Sequence, residues 1–383
     1  MKKKCWAVSK ILLVCALLGG AAFWLLQKSP SQKAFEQNLA QAQQGNAPAQ
    51  MQIAAAYLMG NPIPKDISQA VNWYLRAAAQ GYAPAAYELG QLYLAGEDVE
   101  RDIPSGISYL KLAAEKEFAP AQYALGRLYQ TGAEGLPEKL GQAAFLWMQA
   151  AKQGNEDAQA ALDTLKAENP ELFAQVTTLF EKTEKISKEP DGQTLMELAQ
   201  AYAKGDILEQ NAPLALSLYQ QAAAQGNAAA PYELYLLYLQ TDGPVAQDEE
   251  KALTYLEQAA GGGFAPAQYD VGNRIYHVAQ TPQEYQIAYH WFEQAAGKNH
   301  PGALYMCGIM RMQGQGIEKN VSEGLSLFTQ AANLGNTDAQ YVLGQSYLRG
   351  LGTAKNKKEA EKWLTLAAQS GHAQAAALLA EIH

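Results

Sequence analysis

Residues 77–90 read AAAQGYAPAAYELG, and close variants return along most of the chain: AAEKEFAPAQYALG at 113–126, AAAQGNAAAPYELY at 222–235, AAGGGFAPAQYDVG at 259–272 and AANLGNTDAQYVLG at 331–344. The spacing is 36 or 37 residues, and copies begin near Ala47, Ala83, Ala119, Gly192, Ala228, Ala265, Pro301 and Thr337. A unit this short cannot bury an apolar face alone, so such periods belong to arrays in which each copy is covered by its neighbours. Each unit divides into two helices. Helix A is typified by AAYELGQLYLAG up to Gly96, and helix B by SGISYLKLAAEKE after Pro104.

The shared positions each have a steric task. Helix B closes on Ala-Ala-x-x-Gly at Gly45, Gly81, Gly154, Gly226, Gly263, Gly335 and Gly371, where a left-handed residue ends a helix without a Cβ clash. Asn299 takes this place once, as the next best left-handed former, and Glu117 is expected to be strained there. Pro84, Pro120, Pro266 and Pro301 open helix A, where a missing N–H costs nothing. In mid-helix A a small residue recurs at Ala54, Gly90, Gly126, Ala199, Gly272, Gly308 and Gly344. A mid-helix glycine costs roughly 1 kcal/mol against alanine, so its return at one register predicts a second helix passing close by. Helix B keeps only Ala or Gly at 70, 106, 144, 215, 252, 288, 324 and 360, expected to face that register. Large rings fill the remaining space: Tyr57, Tyr93, Tyr129, Tyr202, Tyr238 and Tyr347 on helix A, and Trp73, Tyr109, Trp147, Tyr255, Trp291 and Trp363 on helix B. Rings at helical spacing read as core.

These residues resemble the Sel1-like repeat family, relatives of the tetratricopeptide repeats. The helix A-x-x-x-L-G-x-x-Y appears as AQYALGRLY (121–129) and AQYVLGQSY (339–347), and the second half as QAVNWYLRAAAQG (69–81) and EAEKWLTLAAQSG (359–371). The resemblance implies an all-α fold, a right-handed superhelical solenoid of antiparallel helix pairs. The expected organisation is a leader at 1–28, a leading helix at 29–46, three repeats at 47–155, a divergent pair at 156–191, five repeats at 192–372 and a capping helix at 373–383. The divergent pair carries Asp163 at the glycine register and Lys166 at the tyrosine register; it reads either as drift or as a hinge.

The first thirty residues, MKKKCWAVSKILLVCALLGGAAFWLLQKSP, have a basic start and an apolar run from Ile11 to Leu26. Three readings compete. Gly20 and Ala22 fit a signal-peptidase site, but Phe23-Trp24-Leu25-Leu26 continues the apolar run beyond it. Val14 before Cys15 disfavours a lipoprotein. With Trp6 to Val8 included and Lys10 snorkelling, the run approaches the roughly 20 residues that cross a bilayer. In that reading the lysines keep the N-terminus in the cytoplasm and the body lies on the periplasmic face of an inner membrane. All three readings export the body, whether anchored or released into the periplasm or beyond the cell.

The net charge is −9, and setting aside Lys2, Lys3, Lys4 and Lys10 leaves the remainder at −13. An acidic body without a basic stripe is a poor partner for nucleic acid. Cys5, Cys15 and Cys307 cannot build a disulfide framework or a zinc site, and the five histidines show no ligand spacing, although His300 and His372 share one inter-repeat corner. No cofactor is expected. GQG at 314–316 and RGLGTAKNKK at 349–358 fall at the A-to-B turn with no preceding strand, which argues against phosphate binding. Ser108-Tyr109-Leu110-Lys111 forms an S-x-x-K tetrad, and some cysteine-rich relatives of this family are described as penicillin-binding or β-lactamase-like. Neither S-D-N nor K-T-G accompanies it, so no enzyme is expected.

What remains is surface. The resemblance implies a concave side lined by helix A. One of its registers reads Tyr87, Tyr123, Tyr232, Tyr269, Tyr305 and Tyr341. Carboxylates follow at Glu88, Glu233 and Asp270, and polar or basic groups appear at Gln91, Arg127, Asn273 and Gln345. Rings beside carboxylates suit a partly basic or amphipathic segment of a partner protein. The competing reading packs these tyrosines between helices with only the hydroxyl outside. The expected role is a scaffold of the cell envelope that holds another protein or peptide.

Overall fold

The computed structural model describes residues 29–132, 136–186, 188–241, 243 and 245–382, which form twenty α-helices and no strand. The leader at 1–28 and His383 lie outside the described residues. Among the described residues no helix is long and apolar enough to cross a membrane.

The chain packs as two units. The first begins with α1 (Pro30–Gln43), followed by the pairs α2 (Ala47–Met59) with α3 (Ile67–Ala79), α4 (Ala83–Ala95) with α5 (Ile103–Glu115), and α6 (Ala119–Thr131) with α7 (Leu140–Lys152). α8 (Glu156–Glu168) packs on α7, and α9 (Pro170–Ile186) runs on from the first unit into the second. The second unit pairs α10 (Gly192–Lys204) with α11 (Ala212–Ala224), α12 (Ala230–Leu239) with α13 (Glu249–Gly261), and α14 (Ala265–Val278) with α15 (Pro282–Ala296). It ends with α16 (Pro301–Gln313) and α17 (Val321–Asn333), α18 (Thr337–Arg349) and α19 (Lys357–Gln369), then α20 (Ala373–Ile382).

Local chemistry sets the helix ends. B helices start on Asp66, Asp102, Asn211, Asp248, Asn320 and Asn356, each accepting a hydrogen bond from the backbone N–H three residues on. Such a cap contributes about 1 kcal/mol. They end on left-handed residues, and the two positions without glycine adopt the same conformation, with φ of 58° at Glu117 and 60° at Asn299.

Paired helices touch through backbone. A Cβ added to Gly90 would stand 3.1 Å from the Gly106 carbonyl oxygen and 2.8 Å from Leu110 Cγ; one added to Gly106 would stand 3.1 Å from the Gly90 oxygen. Gly308 and Gly324 repeat this, with Phe328 Cε1 only 2.6 Å from the added atom on Gly308. Each small position therefore admits both a backbone carbonyl and a large side chain. The third repeat departs from the expected register by one residue. There Gly126 faces the Ala143 carbonyl and the Trp147 ring, so Ala143, not Ala144, is the nesting residue and Trp147 fills the place held by Leu110. The extra residue of this 37-residue unit has entered the A-to-B turn, so all of α7 lies 37 residues after α5, and Trp147 falls one position beyond the ring register of Tyr109.

Neighbouring pairs are joined by a buried glutamine. Gln50, Gln122, Gln268 and Gln340 donate from Nε2 to the carbonyls of Ala42, Ala114, Ala260 and Ala332 at 3.0, 3.3, 3.2 and 3.1 Å. Each adds a second bond to a last-turn carbonyl of the preceding helix that already accepts from the backbone N–H three residues on, and so ties the two helices together. The core is a series of local clusters, one of which joins Ala288, Tyr289 and Phe292 to Ala303, Cys307 and Met310. Burial pushes the Cys307 thiol up to about 12, which leaves it unreactive.

In the divergent pair, Asp163 and Lys166 are exposed. Asp163 accepts from Gln159 at 3.0 Å and the Lys166 ammonium lies 5.5 Å from the Phe173 ring centre. With only Val176 and Leu179 buried on α9, no helix nests against these registers and the small and aromatic residues have no task there.

Replacing Glu117 by glycine should raise stability by about 0.5–1 kcal/mol. Relief of a left-handed L-residue, roughly 1–2 kcal/mol, outweighs the added freedom of the unfolded chain; a higher midpoint in chemical denaturation checks this. Gly308→Ala should lower stability by about 1–3 kcal/mol, read as a lower denaturation midpoint, despite the better helix propensity of alanine, because Phe328 and the Gly324 carbonyl cannot both retreat.

Candidate functional site

The proposed surface residues sit on helix A of successive repeats: Tyr87, Glu88 and Gln91 on α4 and Tyr123 and Arg127 on α6 in the first unit; Tyr232 and Glu233 on α12, Tyr269, Asp270 and Asn273 on α14, Tyr305 on α16, and Tyr341 and Gln345 on α18 in the second. Arg127 is exposed and the other twelve are half-buried.

The half-burial has a common cause. A tyrosine of this register lies over the residue that opens the next helix A. Tyr87 meets Phe118 edge-on at 5.6 Å, Tyr232 meets Phe264 at 5.2 Å, Tyr269 meets His300 at 4.6 Å and Tyr341 stacks on His372 at 4.4 Å. Tyr305 packs on Phe328 of α17 instead, at 5.5 Å. The rings thus fill seams between repeats, and burial raises the phenols of Tyr87, Tyr232 and Tyr305 above their ordinary value.

Polar neighbours hold those phenols. Gln345 donates to the Tyr341 hydroxyl at 2.7 Å, and Arg127 to that of Tyr123 at 3.3 Å, both one turn along the helix. Tyr232 instead donates across the seam to Asp270 at 2.8 Å, and Gln200 to Glu233 at 3.4 Å. Burial, as the largest cause, holds the Asp270 carboxyl above its ordinary value, opposed by Tyr232, His300 and Arg274. Burial also raises Glu88, which lines a recess of about 160 Å³ with Gln91, Leu92, Ala95, Glu97 and Asp98. Leu92 and Ala95 give the recess a small apolar part, and Asp98 in its lining is already held by Lys65 at 2.5 Å.

Of the residues considered for chemistry, Ser108 is exposed, and Lys111 is bound at 2.5 Å to Glu209, in the segment Asp206–Glu209 that packs with the first unit. Burial lowers the Lys111 pKa, but the hydrogen bond to Glu209 and the nearby Tyr129 outweigh it and the net direction is upward. A lysine held in its charged form is not a general base for Ser108. Among the described residues no group of three or more His, Cys, Asp or Glu side chains is placed to hold a metal ion.

Two elements of this face escaped the sequence reading. The residue that opens helix A is also the platform for the preceding tyrosine, signalled only by aromatic or histidine side chains at 118, 264, 300 and 372. The joining glutamine is signalled by the dipeptide Ala-Gln at 49–50, 121–122, 267–268 and 339–340.

The chain matches the family model described as Sel1 repeat at residues 47–82, 83–118, 119–155, 193–227, 232–264, 265–300, 301–336 and 337–372. A comparison with curated proteins finds no match. Among solved structures it is similar to c5321, a protective antigen of uropathogenic Escherichia coli strains displaying an SLR fold, with 26% identity, 91% of this chain and 90% of that one covered, and a TM-score of 0.43. A Sel1 repeat protein from Oxalobacter formigenes is 24% identical, with 92% of each chain covered and a TM-score of 0.46. An immunity protein, Pa5087 from Pseudomonas aeruginosa, is 18% identical, covering 66% of this chain and 81% of that one, at a TM-score of 0.24. Sel1 repeats generally serve as protein-interaction scaffolds, and with eight of them spanning well over half its length, this chain belongs to the Sel1 repeat family.

Proposed function

We propose that this chain is a non-catalytic scaffold of the cell envelope that holds a partner protein or peptide on its A-helix face. The observation that carries the reading is the half-burial of Glu88 and Asp270 beside half-buried tyrosines of the same helices or of the neighbouring helix A. A partly desolvated carboxylate gains more from a incoming cation than one fully in water. Rings set by repeat packing offer contact area at little entropic cost. The partner is therefore a segment with lysine or arginine spaced among apolar residues.

Localisation rests on residues 1–28. The basic start and apolar run support an uncleaved inner-membrane anchor with the body in the periplasm; cleavage after Ala22 would release a soluble binding protein instead. Intact-mass measurement of the natural protein should find the N-terminus retained, and loss of the first 22 residues would favour release.

The binding reading is tested by placing a photo-crosslinking residue at Tyr87, Tyr232 or Tyr341 in the full chain and, as controls, at the exposed B-helix positions Ser108 and Leu366. Adducts with another protein should form from the A-helix sites and be at least several-fold weaker from the controls. Equal labelling at both sets, or none at any position in native membranes, would overturn it. Combining Glu88→Gln with Asp270→Asn should weaken the adducts, and raising the ionic strength should act in the same direction.

A further inference from the structure

The position that opens helix A is filled in two ways along the chain. Asn46, Asn155 and Asn336 accept a hydrogen bond from the N–H three residues on but provide no ring. Tyr82, Phe118 and Phe264 offer a ring but make no side-chain cap. Histidine alone does both. His300 Nδ1 accepts from the Ala303 N–H at 3.2 Å while its ring lies 4.6 Å from Tyr269; His372 Nδ1 accepts from the Ala375 N–H at 3.1 Å while its ring lies 4.4 Å from Tyr341. Both seams belong to the second unit.

An imidazole nitrogen can accept only while it carries no proton, so both rings are neutral with the hydrogen on Nε2. Protonation at Nδ1 turns the acceptor into a donor aimed at the helix N–H groups. It also sets a positive charge at the positive end of the helix dipole. We propose that His300 is a proton-sensitive latch: in mildly acidic conditions it loses its cap, and the first turn of α16 loosens against Tyr269, a ring of the A-helix register.

Charged and titratable groups face both rings. His300 faces Tyr269 and Asp270 from α14, and Asp270 is already engaged by the Tyr232 hydroxyl at 2.8 Å. The neighbouring Lys298 is turned to the Gly263 carbonyl. His372 faces Tyr341 and Asp338 of α18, the latter 3.6 Å from Nε2 and largely exposed. Burial, the larger influence on His300, lowers its affinity for a proton, and Asp270 raises it. The sign follows: a base whose proton affinity is depressed on folding is stabilising above its ordinary value, near 6.5, and loses that contribution as pH falls through the ordinary value toward the depressed one.

The test reads structure and not partner capture, so it stands or falls separately from the scaffold reading. Hydrogen exchange at the Ala303 amide, corrected for intrinsic rates, is compared at pH 7.5 and 5.5 in the full chain, beside the variant His300→Asn; the Ala375 N–H, which also donates to the His372 carbonyl at 3.1 Å, does not serve as a reporter. Asparagine keeps the acceptor and cannot titrate, as at 46, 155 and 336. The natural chain should lose protection about fivefold or more on acidification, the size expected for removal of a helix cap, and the variant less than twofold. A second readout is nitrogen-15 imidazole shifts at pH 7.5, which should show Nε2–H at His300. An equal pH response in chain and variant, or an Nδ1–H tautomer, would overturn the proposal. If the variant is unstable, the tautomer measurement on the natural chain still decides.

Discussion

The close passage of helix A over helix B is the interaction on which everything else in this protein depends. Where Gly90 meets Gly106 and Gly308 meets Gly324, the backbones approach until a carbonyl oxygen fills the space a methyl group would need. Dispersion contacts are individually small, but at this distance they are many, and the missing side chains let Leu110 and Phe328 close over the crossing. A helix pair of thirteen-residue helices is marginal in isolation. The nesting gives each pair a dense centre, and the buried glutamines and seam tyrosines then couple one pair to the next.

In this arrangement the proposed partner face and the structural core share residues. The tyrosines of the A-helix register hold seams with their rings and are half-buried. Their polar neighbours serve twice as well: Gln345 and Arg127 hold tyrosine hydroxyls, and Asp270 holds Tyr232 across a seam. A surface built this way is rigid before a partner arrives, which lowers the cost of binding. It also means that changes to the seam, such as loss of a histidine cap, reach the face directly.

Much of the fold was legible because its determinants are local or repeated. Left-handed helix ends, proline openings and the mid-helix small residue each report one backbone constraint, and repetition separates them from chance. Glu117 and Asn299 show the strength of the pattern, since both adopt the left-handed conformation that neighbouring repeats give to glycine. The limits are equally physical. The sequence puts the nesting residue one position too late, at Ala144, because the large ring of Trp147 stands at the place of Leu110, one beyond the register of Trp73 and Tyr109. The buried glutamines were missed because glutamine is ordinarily a surface residue, and only tertiary packing brings a helix-end carbonyl within its reach.

The amino-acid sequence by itself determined that the chain is helical, that its helices come in nested pairs, and that it carries the Sel1 repeat, because these follow from backbone sterics within a single unit. The tertiary structure alone decided which atoms meet across repeats: that the seam tyrosines are half-buried, that Tyr232 reaches Asp270, that Lys111 is held by Glu209, and that two histidines cap one helix while supporting the ring of another. Such contacts join residues from different units, and the distance and angle between those units are set by packing that no single repeat encodes.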